Sequence, residues 1–417
     1  MEATAAVGGA PSEPGRTVWV PLSPSDGAPG PHPAGVCRVR AFLNTPREAT
    51  APRTPNAQRS QRAVVTPSAR YHLRVKLSVL DQSTAASGAT QDCAIRETLA
   101  LARHCDALGY HRFWLSEHHN NSSIVGTAPE VLAAAIAATT SRIRVGSAGV
   151  MLTHYSALKV AEQFRVLEAI APGRIDLGVG RAPGSDLLTA HALNPHSDAA
   201  VEFPRQVRDL EAWVGGRDLD EGHPFAAIRA HPMGPTEPEL WILGSSDYGA
   251  QLAAYFGLPY AFAYFFTEGR GCAEALELYR RNYRPSARHP APQATICVWA
   301  LAAATDAEAK RLLKTREHWR AGFDRGLRRA LVTPEEADAW PYSDDERDTI
   351  ARLRAKAIAG TADAVAARLR EIAARFDLDE LVIVTWTHDP AARLASYELL
   401  AREFALTEQR HDGTQAR

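Results

Sequence analysis

The sequence predicts an α/β fold: a (β/α)8 TIM-like barrel with insertions, preceded by a disordered N-terminal extension. Three observations lead there. From Leu73 onward, apolar strand-like runs alternate with stretches of helical spacing, the signature of a parallel sheet. Eight such runs can be placed, the number that closes into a barrel. Residues 1–70 have a different vocabulary, rich in Pro, Gly, Ala, Ser and Arg, with no lysine and no sustained period of 2 or 3.6. A segment of that composition buries too little apolar surface to offset its ordering entropy, so residues 1–70 are expected to be disordered and residues 71–410 to form the barrel.

The elements follow in order. The first strand run is Leu73 to Leu80, and helical spacing from Cys93 to Leu108 ends at Gly109. A strand at Arg112 to Leu115 precedes a helix at Pro129 to Thr139. A strand at Ile143 to Leu152 leads into a helix from Ala157 to Ile170, and Ile175 to Val179 is the fourth strand. The second half offers strands at Leu240 to Leu243, Tyr260 to Phe265, Thr295 to Ala302 and Leu381 to Trp386. Helices fall near Tyr248 to Phe256, Cys272 to Tyr283, Asp306 to His318, Ala362 to Arg375 and Ala391 to Leu406. Two long stretches interrupt the rhythm, 185–239 and 320–358. The second reads equally as a lid and as a peripheral surface helix.

Composition narrows the function. Apolar residues make up 45% of the 417-residue chain, enough for a large core, and the formal net charge of −1 gives no field that favours nucleic acid or an anionic membrane. The apolar runs are far shorter than a membrane span, and the first 70 residues contain no secretory apolar segment. Five cysteines without a C-x-x-C pair read as reduced thiols of a cytoplasmic protein.

The motifs lie where such a barrel does chemistry, on the loops after the strands. The second strand runs into Ser116-Glu117-His118-His119. Adjacent residues of an extended chain point to opposite sides, so the two histidines do not converge on one metal: one faces the cavity and the other packs outward. Histidine exchanges protons near neutral pH, although two histidines at a strand end are also commonly structural. Gly146-Ser147-Ala148-Gly149 at the end of the third strand permits close approach of something flat, or tight packing. Gly178, Gly180 and Gly184 miss the dinucleotide fingerprint by one residue, and Pro183 opposes the helix it requires. What remains is Arg181 beside glycines, which suits a phosphate. Ser245 and Ser246 precede a helix, as an anion site or an ordinary cap would.

Together these segments resemble the bacterial-luciferase-like flavin-dependent monooxygenases. The resemblance spans roughly residues 73–406 and rests on W-L-S-E-H-H-N (Trp114 to Asn120), the strand around Gly146 to Leu152, Ala161 to Arg181, and W-I-L-G-S-S with A-A-Y-F-G-L-P behind it. It implies a barrel that uses reduced FMN and O2 to oxygenate a small organic substrate, the FMN being reduced by a separate flavin reductase. By position, it implies His118 as base or proton shuttle with Glu117 beside it. It also implies a non-prolyl cis peptide at Ala148-Gly149 beneath the flavin, Gly180 near the ring, and Arg181, Ser245 and Ser246 at the phosphate. It further implies a homodimer through helices of the first half. The same resemblance admits two alternatives, an F420-dependent hydride-transfer enzyme and a non-catalytic flavin-binding protein. Thr153-His154-Tyr155 stands where relatives often carry Pro-Asn-His, which alters the polar groups at the mouth.

Overall fold

The structure is a computed structural model that describes residues 75–195 and 199–407, all within one compact unit, Val65–Arg417. The segment expected to be disordered, residues 1–70, lies outside the described residues.

The chain runs β1 (Lys76–Asp81), α1 (Gln91–Leu108), β2 (Arg112–Leu115), α2 (Pro129–Thr139), β3 (Arg144–Met151), α3 (Ala157–Ile170), β4 (Ile175–Gly180), then α4 (Leu187–Leu193) and α5 (Ala199–Val214) in the first insertion. It continues with β5 (Glu239–Gly244), α6 (Asp247–Phe256), β6 (Tyr260–Phe262), α7 (Tyr264–Thr267), α8 (Cys272–Asn282), β7 (Ala294–Ala303) and α9 (Asp306–Phe323). It closes with α10 (Pro334–Ala339), α11 (Asp344–Lys356), β8 (Ile358–Thr361), α12 (Ala362–Phe376), β9 (Glu380–Val384) and α13 (Pro390–Glu403). Every strand pairing is parallel. β1 to β7 pair in sequence order, and β9 closes the ring between β7 and β1. The result is the eight-stranded barrel that the alternation predicts.

Strand parity divides the apolar residues into two layers. Leu77, Val79, Phe113, Val145, Ile175 and Leu177 pack outward beneath the helices. Trp114, Trp241, Cys297, Trp299, Val382 and Val384 fill the lumen. The floor is ionic: Arg112 donates to both oxygens of Asp176 at 2.9 Å and to Glu380 at 2.9 Å, while Arg144 and the Trp114 indole also donate to Asp176. Close approach of β3 and β4 leaves no room for side chains at Gly146 and Gly178. A Cβ at Gly146 would collide with the Asp176 carbonyl, and one at Gly178 with that of Ser147.

The structure revises the predicted elements, ending the last strand at Val384 and not at Trp386 among other changes. The sixth strand stops at Phe262 because Ala263 donates its N–H to Gly244 and the chain turns into α7; the short apolar run at 264–266 fits either element by periodicity. Four-residue β8 went unpredicted; it extends the far end of β7, pairing Ala300–Ala303 with Ile358–Thr361. Helix α9 runs one further turn than its spacing suggests, to Phe323. Among the described residues, no helix is long and apolar enough to cross a membrane.

Candidate active site

The loop after β2 sorts its titratable groups as alternation requires. Ser116 Oγ lies 3.2 Å from His118 Nδ1, on the side shared with Trp114. Glu117 and His119 turn the other way, with His119 Nε2 2.7 Å from Glu117 Oε1. The same Glu117 oxygen accepts from the Tyr155 phenol at 2.7 Å, and Oε2 accepts from the backbone N–H of Met151 at 3.0 Å. Glu117, read from sequence as catalytic, is therefore fully engaged in tying the β2 loop to the end of β3. It positions the loop and does not touch His118. Burial chiefly, with Glu117 adding to it, raises the Tyr155 phenol above its usual range, so it remains a donor.

His154 donates from Nε2 to the Pro183 carbonyl at 2.7 Å, and its ring meets His119 edge-on at 5.8 Å. The departure at 153–155 thus braces the loops after β2, β3 and β4 from outside. Burial lowers the His118 imidazole to about 4, with His119 and Arg328 working in the same direction against Glu117. His118 is neutral at physiological pH and available to accept a proton.

The peptide between Ala148 and Gly149 is cis. Ala148 packs against the lumen cluster, and a Cβ at Gly149 would lie 2.7 Å from the Gly178 carbonyl oxygen, so this floor admits only glycine there. Gly180, by contrast, faces room: an added Cβ would meet only the Met151 sulfur, at 3.8 Å.

Arg181, just past β4, is exposed, and its guanidinium lies 3.8 Å from the Tyr248 ring in the first turn of α6. That contact brings together the loops after β4 and β5. Ser246 is the N-cap of α6 yet makes no capping hydrogen bond, and among the described residues Arg181 donates to no protein acceptor. The Arg181 guanidinium thus rests on the first turn of α6, where Ser245, Ser246 and the uncapped N–H groups of a ten-residue helix are further unused donors beside the Asp247 carboxylate.

Sequence reasoning missed Tyr248, whose stacking aims Arg181, and the aromatic wall of the mouth. There Trp386 meets Trp319 at 4.7 Å, and Trp319 stacks on Phe323 at 4.8 Å. Trp386 lies just past a strand and was visible as a strand-end aromatic. Trp319 and Phe323 sit on α9, and nothing in the sequence says that this helix crosses the mouth.

The family model described as "Luciferase-like monooxygenase" matches residues 74–378. "Uncharacterized protein YwcH" of Bacillus subtilis is 42% identical over 79% of this chain and 99% of its own length. An "N-acetyl-S-alkylcysteine monooxygenase" of the same organism is 37% identical over 78% of this chain and 97% of its own. The crystal structure of apo-MsnO8 superimposes with a TM-score of 0.72 at 39% identity, covering 80% of this chain and 99% of that one. Two more distant structures share the fold alone. One is the oxygenating constituent of 3,6-diketocamphane monooxygenase in complex with FMN (17% identity, TM-score 0.61, 79% and 98% covered). The other is an F420-dependent secondary alcohol dehydrogenase (13% identity, TM-score 0.55, 78% and 98% covered).

Proposed function

The chain belongs to the luciferase-like monooxygenase family, and on that premise we propose that it oxygenates a small organic acceptor with reduced FMN and O2, using His118 to hold and move the proton. The observation that carries this reading is the convergence of Arg181, Ser245, Ser246 and the α6 N-terminus as unused donors, beside the open edge at Gly180 and the Ala148-Gly149 floor. These residues fit a flavin mononucleotide: donors for its phosphate at the β4 and β5 loops, and a side-chain-free surface for its ring over β3. A reduced flavin held there would supply the two electrons that activate O2, one of whose oxygen atoms would go to the acceptor and the other to water.

The protein's own part is positional. Ser116 orients the His118 ring through Nδ1, leaving Nε2 as the proton-handling atom. Glu117 fixes the loop from behind. Trp319, Phe323 and Trp386 exclude water from the mouth. A monooxygenase relative favours FMN over F420. The acceptor class named for that relative, a thioether, is a reasonable first probe.

The test is a titration. Arg181→Ala should weaken FMN binding by about 1.5–3 kcal/mol, the scale of a charge-assisted hydrogen bond. Unchanged FMN affinity, or tighter binding of F420 than of FMN, would refute the assignment. Oxygen uptake should depend on FMNH2 delivered by a separate reductase, because the one glycine-rich strand turn has the wrong spacing for a nicotinamide site.

A homodimer is part of the same reading. Val131 on α2 and Val166 and Ile170 on α3 are exposed apolar residues on neighbouring helices. Light scattering at micromolar concentration should return twice the chain mass; a monomer would contradict it.

A further inference from the structure

We propose that the acceptor carries a carboxylate and that Arg316, on α9, holds it at the barrel mouth; the inference rests on the monooxygenase reading above. Arg316 is 6% exposed, and its guanidinium lies 4.3 Å from the Trp299 ring, one of the lumen-facing aromatics. Among the described residues it donates to no carbonyl or carboxylate, although a guanidinium has five N–H donors to satisfy. A buried charge without a partner is costly and persists where something else supplies one.

The protein does not supply it. The two carboxylates that act on Arg316 are Glu268 and Glu317. Glu268 accepts from Lys356 at 3.1 Å, and Glu317 accepts twice from Arg354, at 2.8 and 2.7 Å. Arg320, one turn along α9, adds like charge while its own Nε is taken by Asp324 at 2.7 Å. Burial pushes the Arg316 guanidinium down to about 10, which leaves it charged at neutral pH.

Its surroundings repeat the demand. The indole N–H groups of Trp299 and Trp386 are buried and have no acceptor. Arg328, exposed on the loop after α9, lies over the Phe323 ring at 5.0 Å and acts electrostatically on His118. This aromatic wall therefore carries unpaired donors and positive charge. The ligand that satisfies it has an apolar body and a planar, acceptor-only head. A carboxylate matches the guanidinium fork in shape and charge. The FMN phosphate does not compete for this role, because its donors stand on the loops after β4 and β5 while Arg316 stands on the helix after β7.

The experiment uses the full-length protein, wild type, Arg316→Met and Arg316→Lys. The probes are apolar monocarboxylates (phenylacetate, octanoate, N-acetyl-S-benzylcysteine), each paired with its carboxamide. Binding is read by tryptophan fluorescence and FMN affinity by titration. Wild type should bind acids tighter than amides. Arg316→Met should lose roughly 10–150-fold for the acids, the range of a charge-assisted hydrogen bond, with amide and FMN affinities nearly unchanged. Arg316→Lys should fall between. Because Arg316→Met removes an unpaired buried charge and keeps the apolar stem, its melting temperature should equal or exceed that of wild type. No acid binding tighter than its amide would overturn the proposal. So would equal losses for acid and amide, a loss of FMN affinity, or a lowered melting temperature with acid binding intact. Acid preference without any FMNH2-dependent oxygen uptake would instead sink the monooxygenase reading and leave the carboxylate site standing.

Discussion

Replacing His118 with alanine is expected to lower turnover of the acceptor by roughly 10²–10⁴-fold, the range for loss of a positioned acid or base, while FMN binding stays close to wild type. The two effects separate because the proposed phosphate donors, Arg181, Ser245 and Ser246, lie on the loops after β4 and β5, whereas His118 follows β2. Its pH behaviour should differ from that of an ordinary histidine. An unperturbed imidazole loses its basic form near 6.5, but burial lowers His118 to about 4. The proton-accepting form therefore persists through neutral and mildly acidic pH, and the acid limb of kcat/KM should fall near pH 4, not near 6.5. Ser116→Ala, which frees Nδ1 without removing the ring, should give a smaller loss of turnover. Steady-state turnover with reductase-supplied FMNH2, measured across pH 4–9, tests all three expectations. Full turnover in His118→Ala would remove His118 from the reaction.

The barrel was legible in the sequence because every buried strand is a short apolar run with a helix behind it. At α2 and α3 the observed bounds coincide with the predicted ones, since Gly173 and the Thr139-Thr140 pair punctuate the spacing. Parity was legible too: the opposite orientations of His118 and His119 follow from alternation alone. What escaped was anything that depends on which end of the barrel a helix reaches across. Helix α9 reads as an amphipathic helix with buried Ala309, Leu312 and Leu313 on one face, and nothing local marks Arg316 or Trp319 as covering the mouth. The role of Glu117 escaped for a related reason. Its partners Tyr155 and Met151 are more than thirty residues away, and an E-H-H string does not reveal which histidine the carboxylate holds. Asp176 reads as a polar interruption in a strand, and only the closed ring shows that it gathers Arg112, Arg144 and Trp114 beneath the lumen.

That gathering predicts a large effect on stability. Asp176 is fully buried and accepts from two arginines and an indole, with Arg112 also bridging to Glu380 at 2.9 Å. Asp176→Ala leaves Arg112 buried with half of its charge compensation and leaves the Trp114 N–H without an acceptor. A cost of about 3–5 kcal/mol is expected, the scale for removing one partner of a buried ion pair. Asp176→Asn keeps the volume and an acceptor for Trp114 but removes the charge, and should recover only part of that loss. Burial alone would raise the carboxyls of Asp176 and Glu380. The partners outweigh it only together, Arg112, Arg144 and Trp114 at Asp176 and Arg112, His111 and Ser78 at Glu380, and both carboxyls end below the usual carboxylate range. Groups depressed on folding contribute stability that is fully present above their unfolded values, near 4, and is lost as pH falls through the folded ones. Wild type should therefore lose stability progressively below about pH 4, and the gap between wild type and Asp176→Asn should narrow over the same interval. Urea unfolding followed by tryptophan fluorescence at pH 7 and at stepped acid pH measures both. A loss below about 1 kcal/mol at pH 7, within the range of an exposed ion pair, or a gap that does not change with acid, would show that the floor is held by packing and not by charge.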